Sequence, residues 1–177
     1  MRIISGTNRG RKLISPAGTE IRPTSDFVKT ALFNMLPRME GKRFLDAFAG
    51  SGGIGAEALS RGAAHVTFVD FSAAALETAR KNIALINPDK RRYELILADT
   101  PKFLIQSREK YDIIYLDPPY RIGLAAESAR IICERGLLAP DGVCVAEVFK
   151  DEAADFALNV TDTRVYGIKK LVFMELL

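Results

Sequence analysis

Between residues 43 and 148, short apolar β-prone runs alternate with helical segments, and this alternation limits the possible folds more than any other feature. RFLDAF (43–48), HVTFVD (65–70), YELILAD (93–99), YDIIYLD (111–117) and GVCVAEV (142–148) read as strands. Segments 54–61, 72–86, 101–108 and 124–135, with a weaker one at 151–157, read as the helices between and after them. Strand–helix alternation of this kind implies a parallel sheet covered on both faces. The tail TRVYGIKKLVFMELL breaks the rhythm, and two strands around Gly167 predict an antiparallel hairpin at the sheet edge. The expected class is α/β, with a mostly parallel seven-stranded sheet.

Ahead of this core lies a different kind of sequence. Two β-prone pieces, Arg2–Ser5 and Arg11–Ser15, flank GTNRG and predict a hairpin or loose ribbon. RPTSDFVKTALFNMLP (22–37) predicts one amphipathic helix, with Thr24 or Ser25 as its cap and Pro37 closing it. We divide the chain into an N-terminal basic ribbon and helix (1–40) and a main domain (41–177). The net charge of +3 is unevenly spread. Residues 1–43 hold nine Lys/Arg against three Asp/Glu, whereas the remainder holds sixteen against nineteen. A basic arm on a mildly acidic body points to a polyanionic partner met by the N-terminus. No apolar run approaches the ~20 residues of a membrane span, and the N-terminus does not read as a signal peptide. Cys133 and Cys144 sit in apolar segments without a CxxC, and His65 is the sole histidine, so no metal site is expected.

In an open α/β sheet, ligands bind beyond the carboxyl ends of the strands, near the point where strand order reverses. Four strands here carry an acid at or near that end: Asp46, Asp70, Asp99 and Asp117. After the first comes AGSGGIG (49–55), in which Gly50, Gly52 and Gly55 satisfy G-x-G-x-x-G at a strand-to-helix turn. Glycines there let the backbone approach a ligand, and a helix N-terminus offers free N–H groups. Asp70 follows Gly50 by twenty residues, the spacing of a ribose-binding acid. This stretch alone fits either a nicotinamide cofactor or S-adenosylmethionine. Asp46 tips the choice, because a carboxylate over the site would repel a pyrophosphate yet suits the ammonium of a methionine moiety. Asp99 offers an acceptor to an adenine amine, and Phe71 or Phe48 could stack on the cofactor or simply pack.

The second deciding stretch is Asp117-Pro118-Pro119-Tyr120, where two prolines end the strand and stiffen its tip. It resembles the (D/N)PP(Y/F) motif of amino-methyltransferases with the Rossmann-like class I S-adenosylmethionine-dependent fold. In such an enzyme Asp117 and the Pro118 carbonyl hold an exocyclic amine, and Tyr120 stacks on a flipped-out base.

The resemblance extends further. RIISGTNRGRKL (2–13), RPTSD (22–26), ALFNML (31–36), LDAFAGSGGIGAEALSRGA (45–63) and LDPPY (116–120) together are similar to the bacterial 16S ribosomal RNA guanine-N2 methyltransferases that modify guanine 966. This implies a cytoplasmic enzyme using S-adenosylmethionine, with the small ribosomal subunit or its assembly intermediate as substrate; our own expectation is a monomer. The resemblance implies cofactor contacts at Asp46, Gly50, Ser51, Gly52, Gly55, Asp70 and Asp99, and catalysis at Asp117, Pro118, Pro119 and Tyr120. It also implies RNA contacts at Arg9, Arg11 and Lys12, with Arg22 near the cofactor mouth; Arg121, beside Tyr120, could meet a phosphate of the flipped nucleotide. Family members usually read RPT-x-D-R-V-R-E, whereas this chain has Phe27, Lys29 and Thr30 at the last arginines and glutamate. The competing readings are an amino-methyltransferase acting on another RNA or on DNA, a nicotinamide-dependent oxidoreductase, and a non-catalytic RNA-binding assembly factor.

Overall fold

The computed structural model describes residues 1–15, 23–119, 123–153 and 155–177. Its centre is one seven-stranded sheet built from β1 (Arg43–Asp46), β2 (His65–Asp70), β3 (Tyr93–Leu97), β4 (Tyr111–Leu116), β5 (Leu138–Phe149), β6 (Asn159–Tyr166) and β7 (Lys169–Glu175). Strand order is β3-β2-β1-β4-β5-β7-β6. Strands β1 to β5 pair in parallel, and β7 joins β5 and β6 antiparallel. The chain lays down β1, β2 and β3 in one direction and then returns to place β4 on the other side of β1. Strand order therefore reverses between β1 and β4, which fixes where a ligand crevice opens.

Helices α1 (Pro23–Met35), α2 (Gly53–Ser60), α3 (Ala73–Ile86), α4 (Thr100–Gln106) and α5 (Leu124–Arg135) complete the fold. Alternate strand residues feed two cores. Phe44, Val66, Phe68, Ile113, Tyr115, Val145, Leu171 and Phe173 face one side, packed with Val28, Leu32 and Phe33 of α1 and with Ile83 of α3. Leu45, Val69, Ile114, Leu116, Ala146 and Val172 face the other, packed with Leu104 of α4 and Ala129 and Ile132 of α5. Burial on both faces explains the near-continuous apolar runs in the sequence.

The expected elements form, with shifts at their ends, except for one helix. Helix α1 starts at Pro23, a favoured first helical position, so Thr24 and Ser25 lie inside its first turn rather than capping it. Strand β5 begins at Leu138, because Tyr111 pairs with Leu138 before a register shift brings Ile113 opposite Val143. The helix expected at 151–157 is absent among the described residues there. Instead the Lys150 N–H donates to the Ile168 carbonyl at 2.9 Å and Lys170 Nζ donates to the Glu152 carbonyl at 2.8 Å, tying this segment to the β6–β7 turn.

The N-terminal ribbon is loose in itself, with one antiparallel bridge between Arg2 and Lys12, but it is firmly held from outside. Ile3 and Leu13 enter the same core cluster as Phe44 and Phe68. Glu57 of α2, fully buried, accepts the N–H groups of Ile4 (2.7 Å) and Ser5 (2.9 Å), the Nε of Arg61 (2.7 Å), and faces Lys29 Nζ at 3.5 Å. Asn82 of α3, also buried, accepts from the Ile14 N–H (2.7 Å) and donates to the carbonyls of Ile14 and Ser51, both at 2.9 Å. Gly6 fits only as glycine: its φ is +84°, and a Cβ would lie 1.9 Å from the Ser60 carbonyl oxygen.

Removing one member of a buried ion pair leaves the other uncompensated, so Glu57→Ala should lower the unfolding free energy by roughly 3–5 kcal/mol. Urea titration of the variant measures this, and a loss near zero would show that Glu57 does not anchor the ribbon.

Candidate active site

Strand β1 ends at Asp46, and its chain continues through Phe48 and Ala49 into the glycine loop and α2. Asp46 is 1% exposed, and its Oδ2 accepts the Gly55 N–H at 2.9 Å. This bond crosses the loop and fixes the start of α2 against β1. Burial, reinforced by the charge of Asp70 and opposed by the Gly55 bond, pushes the Asp46 carboxyl up to about 7. Asp70, at the end of β2, accepts the Gly50 N–H through Oδ2 and the Ser72 N–H through Oδ1, both at 2.8 Å. Two carboxylates from neighbouring strands thus shape the loop between them.

The glycines divide by role. Gly50 has φ +53° with open space where a Cβ would stand, and it lines the crevice with Ser51. Gly52 and Gly55 pack inward. A Cβ on Gly52 would lie 2.9 Å from that of Ala79, and one on Gly55 would lie 2.2 Å from the Phe68 ring. They hold α2 and α3 close to the sheet.

A cavity of about 270 Å³ opens at the strand ends, and it joins Asp46 and the glycine loop to Asp117, just past β4. Phe48, Ile54 and Leu32 form apolar wall, Lys29 of α1 lies over it, and Tyr115 and Glu147 continue it toward β5. Of the residues singled out in the sequence, the structure brings Asp46, Gly50, Ser51 and Asp117 together there. Pro118 is buried and Pro119 exposed. Asp70 stands behind the loop rather than on the wall. Phe71 is 68% exposed, and Asp99 caps α4 by accepting the Lys102 N–H at 3.2 Å. Arg9, Arg11 and Lys12 are exposed on the tip of the ribbon, around a shallow concavity with Leu85. That tip lies beside Ser60, at the far end of α2 from the glycine loop. Tyr120, Arg22 and Arg121 lie outside the described residues.

The cavity also contains groups that the motifs did not point to. Lys29 is 3% exposed and donates to the Arg2 carbonyl at 2.5 Å. Burial pulls its ammonium below the ordinary lysine value, while Glu57 and Asp26 oppose that pull. The Tyr115 hydroxyl donates to Glu147 at 2.6 Å, and Lys169 pairs with the same carboxylate. Burial, then the charges of Glu147 and Asp117, drive the Tyr115 hydroxyl well above its usual range, so it stays a proton donor. One signal was available: Glu147 is an acid inside the apolar run VCVAEVF. Phe27, another departure from the family pattern, stands 62% exposed and meets Tyr166 edge-on at 5.7 Å.

Comparison with known proteins places the chain in a family. The family described as Conserved hypothetical protein 95 matches residues 1–175. Ribosomal RNA small subunit methyltransferase D of Haemophilus influenzae is 37% identical over 155 residues, covering 86% of this chain and 80% of its own. Its Escherichia coli counterpart is 38% identical over 148 residues, covering 83% and 74%. The chain belongs to this methyltransferase family. Among solved structures, the provisionally assigned methyltransferase yhhF from Escherichia coli superimposes with a TM-score of 0.86 at 32% identity, covering 100% of this chain and 99% of that one. The fold is thus the Rossmann-like class I methyltransferase fold.

The sign of the Asp46 effect can be tested directly. A carboxyl raised above its unfolded value contributes stability that is full below about pH 4 and is lost as pH rises through about 7. Relative to Asp46→Asn, the wild type should lose on the order of a few kcal/mol across that window and then level off. Parallel denaturation curves for the two proteins would show carboxylate burial to be harmless.

Proposed function

We propose that this chain transfers a methyl group from S-adenosylmethionine to the exocyclic N2 of a guanine in the 16S rRNA of the small ribosomal subunit. The observation that carries this reading is the opening of Asp117 onto the same cavity as Asp46, Gly50 and Ser51. The small subunit methyltransferase D relatives support the choice of substrate.

The residues present fit the donor. Asp46 supplies a buried carboxylate for its ammonium, and the backbone at Gly50 and Ser51 admits a close approach. When bound, S-adenosylmethionine supplies an electrophilic methyl on a sulfonium sulfur, which becomes a neutral thioether once N2 has taken the methyl. The chain's own task is at the amine, whose lone pair is delocalised into the guanine ring. The Asp117 carboxylate accepts one N2–H, and the Pro118 carbonyl, on a stiff backbone, accepts the other. Both bonds strengthen as positive charge builds on N2, which favours a pyramidal nitrogen with its lone pair directed at the methyl. Asp117 then takes the proton released from N2 and passes it to water. Asp70, Phe71 and Asp99 would meet the donor's adenosine once it fills the crevice, and Tyr120 would stack on the base.

The basic ribbon and helix, residues 1–40, serve as the RNA-binding extension. Arg9, Arg11 and Lys12 grip phosphates away from the cavity mouth, while Arg22 and Arg121 act nearer the base. The enzyme works as a cytoplasmic monomer on the small subunit or an assembly intermediate. Deleting the ribbon would strip partners from Glu57 and Asn82, so charge removal is the cleaner probe. The triple change of Arg9, Arg11 and Lys12 to alanine should reduce the salt slope of RNA binding by roughly one for each phosphate that is no longer neutralised, with donor affinity unchanged. An unaltered slope would remove the ribbon from the RNA interface.

The deciding experiment uses labelled S-adenosylmethionine and small subunits from cells lacking this gene, with nucleosides identified by mass spectrometry. N2-methylguanosine should form in 16S rRNA, and Asp117→Ala should slow transfer by roughly 100-fold or more while leaving donor binding intact. Methylation at another base, or none, would refute the assignment.

A further inference from the structure

We propose that Glu147 reads the Watson–Crick edge of the substrate base, accepting the N1–H of guanine next to the amine held at Asp117. This deepens the guanine-N2 reading above and rests on it.

The placement comes from the sheet. Parallel register pairs Tyr115 with Val145 and Leu116 with Ala146, so the next step brings Asp117 and Glu147 side by side. Neighbouring strands are about 4.8 Å apart, close enough for two carboxylates to meet adjacent donors on one flat ring. Asp46 pairs with Tyr115 on the other side of β4. Along the rim the order is therefore donor carboxylate on β1, amine carboxylate after β4, then Glu147 on β5. All three line the cavity.

The surroundings of Glu147 indicate a positioned group. It is 6% exposed, in a strand whose neighbours Ala146 and Val148 are buried and apolar. A buried charge contributes little net stability, and an apolar side chain would pack there as well. Yet two residues from different strands hold its carboxylate: the Tyr115 hydroxyl donates at 2.6 Å, and Lys169 pairs with the other oxygen.

The chemistry selects among bases. Guanine presents two donors in a row, N1–H and the N2 amine, and two adjacent carboxylates complement them. Adenine and cytosine place a bare ring nitrogen beside their amine, and that lone pair would face Glu147 and be repelled. A site built to hydrogen-bond a donor rejects analogues lacking it far more strongly than shape alone can.

2,6-Diaminopurine probes the contact, because it keeps the amine at C2 but has no hydrogen on N1; it also exchanges O6 for an amine, so the change of preference in the variant is what assigns the effect to Glu147. The substrate is 16S rRNA carrying either guanine or 2,6-diaminopurine at the methylated position, introduced by ligation and assembled into small subunits. Wild-type enzyme should prefer guanine in kcat/KM by roughly 10- to 100-fold. Glu147→Gln, whose amide can donate to a bare N1, should shrink or reverse that ratio. Comparing the two substrates on one enzyme preparation cancels any loss of folded protein. If the single variant does not fold, Glu147→Gln with Lys169→Met removes the orphaned ammonium and serves in its place. An unchanged ratio in the variant, or no preference in the wild type, would overturn the role of Glu147. Wild-type enzyme that leaves even the guanine substrate unmethylated would bring down the guanine-N2 reading itself.

Discussion

The parallel pairing of β1 with β4 is the constraint on which the site depends. Each strand carries half of the proposed chemistry just past its last ladder bond: the glycine loop follows Asp46, and Asp117 follows Leu116. The two stretches are some seventy residues apart in sequence, yet the pairing of Asp46 with Tyr115 makes them neighbours. Neither half is a site alone. A loop lined with backbone N–H groups can hold many ligands, and a carboxylate before two prolines can end many strands. Their adjacency opens both stretches onto one cavity.

A second set of contacts sits behind the first. Glu57 and Asn82 hold the N-terminal ribbon to α2 and α3, and Asn82 also reaches the Ser51 carbonyl in the glycine loop. Lys29 links α1 to Glu57 and to the ribbon at Arg2 while lining the cavity. The arm that carries the basic residues is therefore part of the wall of the cavity. A buried ammonium beside a fully buried carboxylate is costly to separate, so this wall is stiff where a solvated basic tail would be loose.

Much of this was legible in the sequence because periodicity and composition are local signals. Strand β2 and helix α5 were placed to the residue, and the hairpin around Gly167 follows from one glycine between two apolar runs. The absence of the expected 151–157 helix was not foreseeable: the Lys150 N–H and the Glu152 carbonyl bond to Ile168 and Lys170 of the C-terminal hairpin, partners that local pattern cannot reveal. The same holds for the site. Asp46, Gly50, Ser51 and Asp117 stand out because motif spacing marks them. Gly52 and Gly55 fit the same motif but meet Ala79 and Phe68, so the pattern records helix packing as well as ligand approach. Tyr115, Glu147 and Lys169 come together only through strand order and register, which a single sequence does not display.

The anchoring of the ribbon has a consequence for how the molecule is made. Residues 1–15 leave the ribosome before α2 and α3 exist, yet Ile4 and Ser5 need Glu57, and Ile14 needs Asn82. Loop closure over fifty to seventy residues must precede these bonds, and such long-range closure slows folding. This segment is synthesised before its partners and is thus among the last to dock, and Met1, which lines the cavity, arrives with it. A nascent chain can complete the glycine loop and still lack one wall of that cavity.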